Sequence, residues 1–131
     1  MILFVCTGNT CRSPLAAALA RARGADAQSA GLAAFPGEPA TPQAIRAAQR
    51  HGADLSAHRA RNVSGALLSQ AERIFVMSAA HRNALLSRYP QAADRVRVLE
   101  PPIPDPYGGN DAVYEDCVLR LTEAMERAGI L

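Results

Sequence analysis

A cysteine and an arginine separated by five residues stand near the start of the chain, in the stretch "VCTGNTCRSP" from Val5 to Pro14. A cysteine thiolate is a strong nucleophile, and a guanidinium can hold two oxygens of one phosphoryl group. Gly8 and Asn9 tolerate left-handed backbone angles, so the segment can curl and turn successive N–H groups toward one anion. The spacing therefore predicts that Cys6 attacks a phosphoryl group held by a loop. We expect that loop to consist of Thr7, Gly8, Asn9, Thr10, Cys11, Arg12 and Ser13.

The residues on either side of this loop indicate the elements that position it. The continuous apolar run "ILFV" at 2–5 is typical of a strand buried on both faces of a parallel sheet. Ser13 and Pro14 mark the start of a helix that Gly24 ends. The positive end of that helix, together with Arg12, favours the thiolate form of a cysteine at the base of the loop. The motif is not the nucleotide-binding loop, because GxxxxGK[ST] is absent.

Strand-like and helix-like segments alternate along the rest of the chain. This order predicts an α/β fold: a single three-layer domain over residues 1–131, Rossmann-like, with a four-stranded parallel sheet and helices on both faces. Ligands of such sheets bind beyond the carboxyl ends of the strands, which is where the loops after the first and fourth strands must lie. The closing helix places Val113, Cys117, Leu121 and Met125 at a spacing that predicts one buried face. The other predicted strands are 25–31, 73–77 and 95–99, and the other helices lie at 42–52, 63–71 and 79–90.

Composition excludes several classes of protein. The net charge of +2 comes from basic residues spread along the chain, so we expect no nucleic-acid partner. No stretch approaches the roughly 18 apolar residues of a membrane span, and no membrane partner is expected. Three cysteines and three scattered histidines offer no metal-ligand spacing, so neither a metal nor a cofactor is predicted. With no signal peptide or disulfide framework, the cytoplasm is the expected location.

At these residues the chain resembles the low-molecular-weight protein tyrosine phosphatase family. The resemblance extends over nearly the whole chain, through "VCTGNTCRSP", "SAG", "RHG", "SAHRAR", "RIFVMS" and "DPYGG". It implies the fold of that family and a phosphocysteine formed on Cys6 while Arg12 grips the phosphoryl oxygens. It also implies that Asn9 holds the loop in shape, supported by Ser29 and His58. The implied partner is a phosphorylated protein, and the implied assembly is a monomer or a weak dimer.

The leaving group of such a reaction needs a proton, and Asp105 is the candidate acid. It lies between Pro104 and Pro106 on a loop that the prolines stiffen. An Asp before Pro is common in plain turns, so spacing alone does not favour catalysis. The resemblance does, because an Asp-Pro-Tyr sequence in this loop matches the family's acid. The carboxylates that remain as alternatives are Glu100, Asp111 and Glu115.

The selectivity of the site is predicted from Thr10, Phe35 and Tyr107. Tyr107 and Phe35 are candidates for the two walls of an entrance. Family members acting on phosphotyrosine typically have a second aromatic residue where this chain has Gly108 and a bulky aliphatic residue where it has Thr10, whereas protein-arginine phosphatases read CTGNTCRS and DP[F/Y]GG. Fewer aromatic walls weaken stacking on a phenyl ring, and the Thr10 hydroxyl can orient a phosphoramidate or its water. Phosphoarginine is the favoured substrate, and phosphotyrosine is the alternative.

Two other activities use similar loops. Thioredoxin-coupled arsenate reductases relay electrons through further cysteines in mid-chain, but residues 12–116 contain none and Cys117 lies on an apolar helix face. A phosphocarrier or phosphate-binding module would use the loop without hydrolysis, although such loops usually lack the Arg and the acid. Cys11 has a separate predicted role, a reversible disulfide with Cys6 that protects the nucleophile from over-oxidation.

Overall fold

Four parallel strands form one sheet, and across it the strands lie in the order second, first, third and fourth along the chain. The computed structural model describes residues 1–131. Cys6 at the end of the first strand pairs with Gly31 at the end of the second, so the two strands finish level at the same edge. The strands are β1 (Ile2–Cys6), β2 (Ala27–Gly31), β3 (Arg73–Val76) and β4 (Val96–Val98).

Helices cover both faces of the sheet, as the α/β pattern predicted. Side chains of β1 alternate between the two cores: Phe4 belongs to one, and Leu3 and Val5 to the other. The core containing Phe4 is closed by the first, second and fifth helices of the chain, and the opposite core by the third and fourth. The predicted four-stranded, three-layer α/β fold is therefore confirmed. The helices are α1 (Arg12–Ala22), α2 (Pro42–Arg50), α3 (Gly65–Gln70), α4 (Ala79–Arg88) and α5 (Asp111–Arg127), with a 3₁₀ turn at Pro90–Ala92.

Side-chain caps fix the start of four of the five helices. Thr41, Ser64, Ser78 and Asn110 each accept a hydrogen bond from a backbone N–H in the first turn of α2, α3, α4 and α5. Helix α1 differs, since Cys11 at its N-cap position makes no such bond. The N–H groups at the start of α1 are thus left for another acceptor.

The buried face of α5 differs from the prediction at one end. Cys117, Leu121 and Met125 are buried, but Val113 is 43% exposed, and Tyr114 takes the buried position in the first turn. Residues four apart advance past a full turn by about 40°, so a row of such residues rotates out of the core. No helix of the protein is both long enough and apolar enough to span a bilayer.

Candidate active site

Cys6 lies at the point where the chain leaves the sheet. It ends β1, the loop Thr7–Cys11 follows, and α1 begins at Arg12. The thiol is 3% exposed, and its Sγ lies 2.9 Å from the hydroxyl oxygen of Ser13. Strand and helix therefore bring sulfur and hydroxyl together at the base of the loop.

Asn9 shapes the loop between Cys6 and Arg12. It is fully buried and has φ 57°, in the left-handed region. Gly8, which the sequence also offered for such an angle, does not adopt one, because Asn9 alone supplies the turn. The Asn9 side chain is held at both ends: Nδ2 donates to Ser13 Oγ and Ser29 Oγ, each at 2.9 Å, and Oδ1 accepts from the backbone N–H of Arg61 at 3.0 Å.

His58 contacts the same residue from outside the loop. Its Nε2 lies 2.7 Å from the carbonyl oxygen of Asn9, and since a carbonyl only accepts, Nε2 carries the proton. Burial is the main cause that lowers the pKa of His58, and the neighbouring Arg21, Arg61 and Arg59 lower it further. Ser29 and His58 thus both contact Asn9, where the resemblance expected supporting residues, and the backbone of Arg61 is a third contact that sequence reasoning missed.

Gly31 allows β2 to pass close to the loop. A Cβ built on it would lie 2.6 Å from the carbonyl oxygen of Thr7 and 3.1 Å from Cβ of Asn9. The Thr7 carbonyl accepts the backbone N–H of Ala33 at 3.0 Å, which ties the loop to the chain leaving β2. Only glycine fits this close backbone contact.

The side chains of Arg12 and Asp105 lie next to each other in the site. Arg12 is 7% exposed, and its Nη1 donates to the carbonyl oxygen of Ile103 at 3.1 Å. Its Nη2 lies 3.8 Å from Asp105 Oδ2, while Asp105 Oδ1 accepts the backbone N–H of Tyr107 at 3.1 Å. The guanidinium is therefore oriented by a neutral carbonyl and keeps donors for an oxyanion.

The alternative carboxylates lie elsewhere. Asp111 pairs with Arg46, and Glu115 pairs with Arg50 and His51, both on the surface between α2 and α5. Neither of them, nor Glu100, lines the cavity described next. Of the four candidates, the structure brings only Asp105 to Cys6 and Arg12.

One cavity of about 310 Å³ opens above the loop. Phe35 and Tyr107, which are 75% and 73% exposed, contribute to its lining. Glu38 also lines it, and sequence reasoning missed this carboxylate, because nothing in "FPGEPA" marks it as facing a loop nearly thirty residues earlier. The lining residues are Cys6 to Arg12, Ala33, Phe35, Glu38, Asp105 and Tyr107.

His81 is another residue that sequence reasoning missed. It is buried at 8% exposure in the first turn of α4, and its Nε2 lies 2.9 Å from Thr7 Oγ1. Burial is the main cause that lowers its pKa, and the charge of Arg12 adds to the effect. A Ser-x-x-His sequence after a strand could have pointed to it, but only the fold shows that it reaches the loop.

The other two cysteines differ sharply in their surroundings. Cys11 Sγ lies 3.2 Å from the hydroxyl of Tyr114, which also accepts a hydrogen bond from Thr41 at 3.2 Å. Burial raises the pKa of the Tyr114 phenol. Cys117 is buried in α5, outside the cavity, and burial raises its pKa to about 12.

Comparison with known proteins identifies the class to which this fold and loop belong. The family model for low molecular weight phosphotyrosine protein phosphatases matches residues 1–128. A relative from Ralstonia solanacearum, the probable low molecular weight protein-tyrosine-phosphatase EpsP, is 37% identical over 131 residues, covering 95% of this chain and 90% of its own.

Two solved structures share the fold closely. The YwlE arginine phosphatase from Geobacillus stearothermophilus superimposes with a TM-score of 0.91 at 33% identity, covering 97% of this chain and 88% of its own. A YwlE arginine phosphatase mutant in which serine replaces a cysteine and the active-site serine is phosphorylated has a TM-score of 0.89 at 30% identity, covering 97% and 91%. The chain belongs to the low molecular weight phosphotyrosine protein phosphatase family. It is a protein phosphatase and hence a hydrolase.

Proposed function

We propose that this phosphatase works through a phosphocysteine on Cys6 and that its preferred substrate is phosphoarginine in proteins. The observation that carries the proposal is that Cys6, Arg12 and Asp105 line a single cavity. A nucleophile, an anion clamp and an acid are the three groups that phosphoryl transfer to a cysteine requires.

In the first step, the Cys6 sulfur attacks phosphorus and a sulfur–phosphorus bond forms as the phosphorus–nitrogen bond breaks. The Asp105 carboxyl donates its proton to the departing guanidine nitrogen. Arg12 and the free N–H groups at the start of α1 hold the phosphoryl oxygens, whose charge spreads in the transition state. The Ser13 hydroxyl, 2.9 Å from the sulfur, can donate to it and stabilise the thiolate before attack and after release.

In the second step, water attacks the phosphocysteine. The Asp105 carboxylate accepts a proton from that water, the sulfur–phosphorus bond breaks, and phosphate and the Cys6 thiolate are released. The phosphorylated active-site serine in the YwlE mutant supports a covalent intermediate at the corresponding position. The deep burial of Cys117, with its pKa raised to about 12, argues against a thiol relay of the kind that arsenate reductases use.

The preference for phosphoarginine rests on the charge of the entrance. Glu38 and Asp105 both line the cavity, and no cation lies within 4.0 Å of the Glu38 carboxylate. Two carboxylates at the mouth favour a leaving group that becomes a guanidinium over one that becomes a neutral phenol. Thr10 adds a hydroxyl within the same cavity, where an aliphatic side chain would only fill space.

Phosphotyrosine is the second candidate, because Phe35 and Tyr107 are two exposed aromatic rings at the entrance. Offset or edge-to-face packing of a phenyl ring against such side chains contributes about 0.5–1.5 kcal/mol beyond the area buried. The similarity to the relative from Ralstonia, a probable tyrosine phosphatase, also favours phosphotyrosine as the substrate. The two candidates differ in what binds the leaving group: carboxylates or rings.

The test compares kcat/KM on a phosphoarginine and a phosphotyrosine peptide of the same sequence. We expect the wild type to prefer phosphoarginine and Thr10→Ile to shift the ratio at least tenfold, about 1.4 kcal/mol, toward phosphotyrosine. Thr10→Ser is the matched control, since it keeps the hydroxyl and should keep the preference. Glu38→Gln should lower kcat/KM on phosphoarginine more than on phosphotyrosine. A wild type that prefers phosphotyrosine, with a ratio unmoved by Thr10→Ile, would refute the proposed selectivity.

The covalent step is tested separately, by rapid quenching with a ³²P-labelled substrate. Acid-labile label on wild-type protein that is absent from Cys6→Ala supports the phosphocysteine. Label that persists on the wild type for hours without release of phosphate would favour a phosphocarrier instead.

A further inference from the structure

His81 connects the start of α4 to the loop Thr7–Cys11 through a series of side-chain hydrogen bonds. Ser78 caps α4, and its hydroxyl oxygen accepts the backbone N–H of His81 at 3.3 Å. The same hydroxyl lies 2.8 Å from Nδ1 of the imidazole, and Nε2 lies 2.9 Å from Thr7 Oγ1. Thr7 follows the nucleophile directly and lines the cavity. A buried imidazole therefore contacts the hydroxyl of the residue that follows Cys6 in the sequence.

The position of the imidazole proton, on Nδ1 or on Nε2 of His81, decides whether the Thr7 hydroxyl can donate to a ligand in the cavity. If Nε2 carries the imidazole proton, it donates to Thr7 Oγ1, and Ser78 donates to Nδ1. The hydroxyl proton of Thr7 is then available to the cavity. If Nδ1 carries the proton, Thr7 must donate to Nε2, and only lone pairs of its oxygen face an incoming anion. An anion in the cavity therefore selects the first arrangement.

The surroundings of His81 also favour a neutral ring. Burial lowers its pKa, and the positive charge of Arg12 lowers it further, while Asp105 acts in the opposite direction. A neutral imidazole has one donor and one acceptor, which is the set needed between one hydroxyl that donates and one that accepts. The hydrogen bond from Ser78 to Nδ1 thus fixes the imidazole, and the imidazole in turn fixes the orientation of the Thr7 hydroxyl.

We propose that His81 is a positioning residue that, by donating from Nε2 to Thr7 Oγ1, directs the Thr7 hydroxyl proton onto an oxygen of the phosphoryl group. This inference rests on the proposed function, since it requires that the loop 6–13 bind the phosphoryl group. The side chain of His81 makes its hydrogen bonds to Thr7 and Ser78 and none to Cys6 or Asp105. Its effect passes through Thr7.

Three variants test the contact kinetically. Thr7→Val removes the hydroxyl, His81→Phe keeps a ring without nitrogens, and His81→Gln can place an amide N–H near the position of Nε2. A hydrogen bond to a charged group that is lost from the site should cost about tenfold in kcat/KM and in inhibition by inorganic phosphate. We expect that loss in Thr7→Val and His81→Phe and recovery of most of it in His81→Gln. His51→Phe is the matched control at a surface histidine that pairs with Glu115.

The double variant separates positioning from packing. If His81 acts through Thr7, the combination of Thr7→Val and His81→Phe should lose no more than the larger single loss. A purely structural histidine would instead lower the melting temperature and leave kcat/KM unchanged, or its kinetic loss would add in full to that of Thr7→Val. Either result overturns the inference.

The tautomer can be read directly on the wild-type protein, which also covers the case in which His81→Phe does not fold. Long-range ¹H–¹⁵N NMR spectra of the histidines, recorded with saturating inorganic phosphate, should show the proton of His81 on Nε2. A proton on Nδ1 refutes the inference while leaving the proposed function intact. If phosphate shifts none of the amide signals of residues 6–13, the proposed phosphate cradle itself fails.

Discussion

Replacement of Gly31 by alanine tests how closely β2 must approach the loop Thr7–Cys11. The added methyl group would lie 2.6 Å from the Thr7 carbonyl oxygen and 3.1 Å from Cβ of Asn9, and neither residue contributes a flexible side-chain end there. Gly31 itself is fixed on both sides: its N–H donates to the carbonyl of Arg61, and its carbonyl accepts the N–H of Val63. The strain must therefore appear in the loop.

The size of the effect follows from these distances. Separations under 3.0 Å are essentially absent between a real Cβ and other heavy atoms, so the Thr7 carbonyl must move by about 0.4 Å or more. Overpacking of this kind costs about 1–3 kcal/mol, which is roughly 3–5 °C of melting temperature per 1 kcal/mol in a chain of this length. Since misplacement by about 1 Å can cost a hundredfold in rate, we expect a loss of about tenfold in kcat/KM.

The assay is kcat/KM on an aryl phosphate, measured together with thermal unfolding. Gly65→Ala is the matched control, because a Cβ there meets nothing closer than the Tyr89 ring at 4.0 Å and no left-handed angle is needed. That variant should keep both activity and melting temperature. If Gly31→Ala also keeps both, the close contact does not position the loop and the reasoning is wrong.

Three further predictions concern the acid, the half-buried His58 and the cysteines. Asp105→Asn should lower kcat about a hundredfold or more while leaving inhibition by phosphate nearly unchanged. Glu100→Gln should change neither kcat nor that inhibition. Equal losses of kcat in the two variants would contradict the assignment of Asp105 as the acid. Burial lowers the pKa of His58, so the unfolded chain binds more protons below about pH 6.5, and stability should fall as the pH drops through that value. Melting temperatures near pH 7.5 and pH 5.5 should differ less in His58→Gln than in the wild type, and an equal difference would show that His58 is not responsible. Peroxide inactivation should be reversed by thiol in the wild type and in Cys117→Ala but should become irreversible in Cys11→Ser; reversible inactivation of Cys11→Ser would exclude Cys11 as the protecting thiol.

The elements of the fold could be predicted because local signals were strong. The "ILFV" run, the Thr41-Pro42 helix start and the glycines after the helices each correspond to an observed strand, cap or helix end. The error at Val113 has a simple cause: a repeat of four residues does not stay on one face, because it rotates around the helix. Tyr114 occupies the core position, where its hydroxyl meets Cys11 and Thr41.

The candidate site was predictable in part. The spacing from Cys6 to Arg12 is a local property of one loop, so the residues themselves indicated it. Asp105 needed the resemblance, since its turn sequence is common and its approach to Arg12 depends on the segments that follow β4 and β1, two strands that are not neighbours in the sheet. Glu38 had no local signal, and the Ser-x-x-His sequence at His81 does not show which loop the imidazole meets, because each residue reaches the cavity or the loop through the packing of segments distant in sequence.

The sequence by itself determined the alternation of strands and helices and the loop that carries Cys6 and Arg12. These features depend on hydrophobic period, on turn residues and on a spacing of a few residues, all of which act within one segment. Only the tertiary structure decided that Asn9 alone makes the left-handed turn, that Asp105 is the one carboxylate of the four beside Arg12, and that His81 meets Thr7. Those outcomes depend on hydrogen bonds and an ion pair between residues far apart in the chain, and such contacts acquire a geometry only once the sheet brings its strand ends to one edge.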